Sequence, residues 1–138
     1  MMSDKPEQTR SDKPAEPATI LVVDDSDDFR DLLRKILRHQ GYEVLFAGNG
    51  ETALRLCHLH RGVIHLVVTD LVMPGMSGTE LAEKLLTLRP NIKVLFISAF
   101  VQETALQIRS KLRPVDGFLA KPFPPERLIT KVQEMLAA

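Results

Sequence analysis

Short apolar runs alternate along this chain with segments whose apolar residues recur three and four positions apart, and no other feature limits the available folds so strongly. Ile20 to Val23 is continuously apolar, and Phe29, Leu32, Leu33, Ile36 and Leu37 then follow at the spacing of one buried helical face. Asp27 and Asp28 favour the N-terminus of that helix, and Gly41 ends it. Tyr42 to Ala47 reads as a second strand, and Gly50 to His60 as a helix with Ala53, Leu54 and Cys57 on one face. Val63 to Thr69 reads as a third strand. Ser77 to Leu88 reads as a helix opened by the capping box Ser77-x-x-Glu80, because each side chain of such a pair can satisfy the other's free backbone N–H. Lys93 to Ile97 is a fourth strand, a fourth helix is expected over about 102–112, and Gly117 to Ala120 is a fifth strand. Pro125 suits an early helical position, after which Leu128, Val132 and Met135 mark the apolar face of a fifth helix. Strands such as Val94-Leu95-Phe96-Ile97, apolar at every position, must be covered on both sides, which requires a parallel sheet between two helical layers. The expected fold is α/β and doubly wound, a five-stranded parallel sheet with helices on both faces.

The length of 138 residues suits one domain. Residues 1–18 set Pro6, Pro14 and Pro17 among charged side chains and read as a disordered tail or linker, leaving 19–138 as the folded unit. Lys plus Arg equals Asp plus Glu at 18 each, so the basic surplus that would attract nucleic-acid phosphates is missing and no direct nucleic-acid partner is expected. No apolar run approaches the roughly 20 residues that span a bilayer, and the first residues lack the apolar core of a secretory signal. With Cys57 as the one cysteine, no internal disulfide can form, so the expected setting is cytoplasmic, without membrane attachment. Cys57 itself reads as a small apolar filler of its helix. His39, His58, His60 and His65 fall on different elements or different helix faces and do not read as a shared metal site.

In a doubly wound sheet the functional crevice lies at the carboxyl ends of the strands. The residues that break the apolar runs there are Asp24 and Asp25 after the first strand, Asp70 after the third, Ser98 after the fourth and Lys121 after the fifth. Each alone has an ordinary explanation: an Asp or Ser caps helices and forms turns, and a Lys is usually a solvated charge. Together they bring three carboxylates, a hydroxyl and an ammonium to one edge. Clustered carboxylates repel, and a hard divalent cation with oxygen ligands relieves the repulsion, with Mg²⁺ as the natural candidate.

Val22-Val23-Asp24-Asp25, Thr69-Asp70-Leu71-Val72-Met73-Pro74-Gly75-Met76-Ser77-Gly78, Phe96-Ile97-Ser98-Ala99 and Lys121-Pro122-Phe123 together resemble the response-regulator receiver domain of two-component signalling, over about residues 19–136. The resemblance implies a flavodoxin-like strand order, 2-1-3-4-5. It implies that Asp70 is the nucleophile that takes a phosphoryl group from a phosphohistidine on a sensor histidine kinase or a histidine phosphotransfer protein. Mg²⁺ would be held by Asp25, Asp70 and the backbone carbonyl of Val72, with Asp24 acting through a bound water. Lys121 would pair with a phosphoryl oxygen, and the Lys121-Pro122 bond is expected to be cis. The switch would run through Ser98 and Phe118 to a surface formed by the fourth helix, fifth strand and fifth helix, where a downstream protein, or a second copy in a homodimer, would dock.

The chain departs from the family's common pattern at Phe118, where a Tyr is frequent. A phenolic hydroxyl is therefore unavailable, and the side chain's preference rests on packing. Val72 and Phe100, two residues beyond Asp70 and Ser98, are both apolar where the family borders the path of the attacking water, which implies a long-lived phosphoryl group. An Asp-nucleophile phosphatase of the haloacid-dehalogenase type would place its nucleophile after the first strand in a D-x-D-x-[TV] pattern. Asp24-Asp25-Ser26-Asp27-Asp28-Phe29 does not follow that pattern. A receiver reduced to a docking module would typically have lost the acidic pair, the acceptor or the Lys, all of which are present.

Overall fold

A computed structural model of the chain describes residues 17–99 and 112–137. Most of the 1–18 stretch, residues 102–111 of the helix expected over about 102–112, and Phe100 lie outside the described residues. The described elements are β1 (Thr19–Val23), α1 (Asp27–His39), β2 (Glu43–Ala47), α2 (Gly50–Leu59), β3 (Leu66–Asp70), α3 (Gly78–Leu88), β4 (Lys93–Ser98), β5 (Gly117–Ala120) and α4 (Pro125–Ala137). All strand pairs are parallel, and the sheet order is β2-β1-β3-β4-β5. Both the doubly wound fold and the 2-1-3-4-5 order match the expectation.

Alternation along each strand divides the core in two. Leu21, Val23, Val67, Val94 and Phe96 face one side and pack with Ala53 and Cys57 of α2 and Leu81 and Leu85 of α3. Ile20, Val22, Leu66, Val68, Leu95 and Ile97 face the other and pack with Leu33 and Leu37 of α1 and Leu128 and Val132 of α4. A strand buried on both faces cannot alternate apolar with polar, which is why the sequence runs are continuous. No helix among the described residues is long and apolar enough to cross a membrane.

The helix starts are encoded locally. Ser26 caps α1 and accepts the Phe29 N–H at 3.3 Å. Asn49 caps α2 through the Thr52 N–H at 2.8 Å. Ser77 and Glu80 form the reciprocal capping box of α3. Gly41, at φ 93°, takes the left-handed turn beyond α1, and its N–H closes on the Arg38 carbonyl at 2.9 Å.

One boundary differs clearly from the sequence expectation. The third strand begins at Leu66, not Val63, and Val63 is exposed. The register pairs Ile20 with Leu66, so Val63 would fall opposite Pro17, which has no N–H to contribute to a ladder. The preceding turn is instead held by Arg89. Its guanidinium donates to the carbonyls of Cys57 (3.1 and 2.9 Å), His60 (2.6 Å) and Gly62 (2.8 Å).

Candidate functional site

The parallel sheet delivers Asp24, Asp70, Ser98 and Lys121 to its carboxyl edge, because each follows or ends a neighbouring strand. The β1–α1 turn presents the acidic pair. Asp24 is buried and anchored from three sides: its N–H donates to the Ala47 carbonyl at 3.2 Å, its Oδ1 accepts the Ser26 N–H at 2.8 Å, and its carbonyl accepts from the Arg30 guanidinium at 2.9 Å. Asp25, next in the chain, is exposed. Asp70 Oδ1 accepts the Val72 N–H at 3.2 Å, which ties the carboxylate to the loop that carries Val72, and the Val72 side chain itself is exposed.

A carboxylate oxygen from each of Asp24, Asp25 and Asp70 can be chosen so that all lie within 4.8 Å of one another. Lys121 Nζ stands against them, 3.2 Å from Asp70 Oδ2 and 3.4 Å from Asp24 Oδ2. Among the described residues, three carboxylates face the Lys121 ammonium, and the donor set is all oxygen. That surplus of negative charge and that hard donor set fit Mg²⁺ or a similar divalent cation. The Asp24 carboxyl pKa is raised above the ordinary range, mainly by burial and further by the Asp70 charge. The Ser26 N–H and Lys121 act in the opposite direction without cancelling it.

Ser98 is buried at the end of β4, and its carbonyl accepts the Lys121 N–H at 2.8 Å, so the backbone couples these two candidates directly. The Lys121-Pro122 peptide bond is cis. Phe118 is half-buried in β5, opposite Phe96 in the register, and packs on the core face shared with α2 and α3.

The loop after β3 approaches α3 so closely that a Cβ on Gly78 would collide with the Asp70 carbonyl and lie 3.0 Å from Leu71 Cα. Only a glycine lets the helix begin against the back of Asp70. Two further residues escaped the sequence reading. Phe29 reads as one of five core-face positions of α1, yet its ring lies beneath Lys121 Nζ, 4.1 Å from centroid to nitrogen. Arg30, which the sequence reading passes over, holds the Asp24 carbonyl through its guanidinium. The available signal was position, since both fall within the first turns after the acidic pair.

The sequence profile described as "Response regulator receiver domain" matches residues 20–133. The chain belongs to the response-regulator receiver family. It is 37% identical over 122 residues to the sensor kinase CckA of Brucella abortus (strain 2308), covering 86% of this chain and 12% of CckA. It is 35% identical over 119 residues to the response regulator receiver protein CpdR of the same organism, covering 86% of this chain and 97% of CpdR. Among solved structures, the receiver domain of the hybrid histidine kinase CckA matches with a TM-score of 0.73 at 33% identity, over 86% of this chain and 99% of that one. Vibrio cholerae CheY4 matches with a TM-score of 0.76 at 28% identity, over 86% of this chain and 98% of that one. The chain therefore spans nearly all of CpdR but only a small part of CckA. It is a phosphoryl-accepting receiver domain of two-component signal transduction and works as a signalling switch.

Proposed function

We propose that Asp70 is the phosphoryl acceptor of this receiver domain and that the surrounding residues catalyse its own phosphorylation without acting on other substrates. The observation that carries the reading is Asp70 Oδ2 at 3.2 Å from Lys121 Nζ, inside the cluster of Asp24, Asp25 and Asp70 oxygens. An Asp70 carboxylate oxygen attacks phosphorus, a new P–O bond forms as the P–N bond of a partner's phosphohistidine breaks, and the departing imidazole takes up a proton. Lys121 neutralises a phosphoryl oxygen, moving from its bridge between Asp24 and Asp70 to the new anion. Asp25, Asp70 and the Val72 carbonyl would hold Mg²⁺, with Asp24 acting through water. Bound there, the ion supplies charge neutralisation on the phosphoryl oxygens.

The added charge, about −1.5 to −2, offers acceptors to the Ser98 hydroxyl. Displacement of Ser98 at the end of β4 is passed to Phe118 on β5 and so to a docking surface formed by the helix expected over about 102–112, β5 and α4, where a downstream protein or a second copy binds. The phosphodonor is a sensor histidine kinase or a histidine phosphotransfer protein, and the setting is cytoplasmic. Residues 19–138 form the receiver unit, which acts alone as CpdR's length would allow or within a hybrid kinase such as CckA.

Exposure to acetyl phosphate with and without Mg²⁺, followed by intact mass, tests the reading. Wild-type protein gains one phosphoryl group only with Mg²⁺, and Asp70→Asn gains none. A wild-type protein that never gains mass overturns it.

A further inference from the structure

The geometry points to Phe29 as a positioning residue for Lys121, a π face that seats the ammonium where it can pass from the resting carboxylates to a phosphoryl oxygen. The inference rests on the phosphoryl-acceptor reading above and names a residue through which that site works.

Lys121 ends a flexible four-carbon stem, so its ammonium needs something that fixes its place besides charge. Among the described residues, three neighbours define that place: Asp70 Oδ2 at 3.2 Å, Asp24 Oδ2 at 3.4 Å and the Phe29 ring at 4.1 Å. An ammonium has three N–H donors, and here an aromatic face stands on one side where water or a third oxygen would otherwise sit. The difference matters for a group that must change partners. A carboxylate seat would hold the cation through directed hydrogen bonds that have to break. The attraction of a π face is electrostatic and broad, so the ammonium can turn toward a new anion without leaving the ring.

The ring is itself fixed from both sides of the site. Phe123, two residues after Lys121 and on the same loop, meets it edge to face, with centroids 6.0 Å apart and planes at 76°. The loop that carries the lysine thus also carries the side chain that steadies its platform. On the other side, the Phe29 N–H donates to Ser26 Oγ at 3.3 Å, while the Ser26 N–H donates to Asp24 Oδ1 at 2.8 Å. One helix cap therefore holds both the buried carboxylate and the Phe29 backbone, which places the ring's point of attachment relative to the oxygens between which Lys121 lies.

Phe29→Leu removes the π face, and Phe29→Tyr keeps it. Should Phe29→Leu fail to fold, Phe29→Met preserves side-chain bulk without the ring and takes its place. Three measurements apply to each: the rate of Mg²⁺-dependent phosphorylation by acetyl phosphate, the affinity for Mg²⁺ alone, and the proton shift of the Lys121 ε-methylene by NMR. Phe29→Leu is expected to slow phosphorylation by about three- to tenfold, as loss of a half-desolvated cation–π contact would. It should leave Mg²⁺ affinity unchanged and abolish the ring-current shift of the Lys121 ε-methylene, whereas Phe29→Tyr should keep the rate and the shift. Wild-type rates in Phe29→Leu, an ε-methylene shift that survives loss of the ring, or equal losses in Phe29→Leu and Phe29→Tyr would each overturn the assignment. A fall in rate matched by a fall in Mg²⁺ affinity overturns it too, since the damage would then lie in the acidic cluster. If wild-type protein gains no phosphoryl group at all, the acceptor reading fails, and the ε-methylene shift still decides whether the ring seats the ammonium.

Discussion

Replacing Asp24 by Asn should make the metal-free protein more stable and the Mg²⁺-bound protein less so. Ionised Asp24 faces two carboxylates whose oxygens lie within 4.8 Å and one ammonium at 3.4 Å. Burial is the main cost of that charge and the Asp70 carboxylate adds to it, while the Ser26 N–H and the Lys121 ammonium offset part of it without cancelling it. Replacing the buried carboxylate by a neutral amide removes that cost, and a gain on the order of 1 kcal/mol, the scale of one pKa unit, is expected for Asn. Asn keeps an oxygen for the Ser26 N–H, so the local fold is preserved. The pH dependence has a definite sign. A carboxyl whose folded pKa is raised counts against folding at neutral pH, and that penalty disappears as pH falls through the raised folded value toward the ordinary one. The advantage of Asp24→Asn should therefore be full at neutral pH and vanish on acidification. Thermal unfolding in chelator and in saturating Mg²⁺, at several pH values, measures all three effects. Mg²⁺ should raise the wild-type midpoint far more than that of the variant, because only a ligand that binds the native state shifts it. An Asp24→Asn protein less stable than wild type in chelator at neutral pH would refute the reasoning, since Lys121 and the Ser26 N–H would then outweigh the cost of burying the charge.

Arg89→Ala should cost about 2–3 kcal/mol, since it leaves the Cys57, His60 and Gly62 carbonyls without their charged donor; denaturant unfolding measures it, and a loss within error of zero would show the clamp to be ornamental. Val72→Asn combined with Phe100→Glu should shorten the life of the phosphoryl group by giving the attacking water polar partners; phosphate release from the purified phosphoprotein tests it, and equal or faster loss from wild type would contradict it.

Much of the site was legible because its residues interrupt strong patterns. Asp24, Asp70, Ser98 and Lys121 end runs of side chains that a parallel sheet must bury, and a polar residue there is easily noticed. Phe29 and Arg30 were not legible for the opposite reason. Phe29 continues the apolar periodicity of α1 and Arg30 its solvated face, so neither breaks a pattern. The start of β3 escaped for a related reason: the apolarity of Val63 and Ile64 announces burial or a strand equally well, and whether a ladder exists there depends on Pro17, a residue far away in sequence.

The sequence by itself determined the kinds of element, their order, the layering of helices on both faces and the family, because hydrophobic period, caps and motif spacing are properties of neighbouring residues. Only the tertiary structure decided the contacts that make the site a unit: Lys121 bridging Asp24 and Asp70, the Phe29 ring beneath it, Phe123 steadying that ring, and Arg30 holding the Asp24 carbonyl. These contacts join side chains up to 97 positions apart, and their distances depend on strand register and helix placement, which no local pattern records.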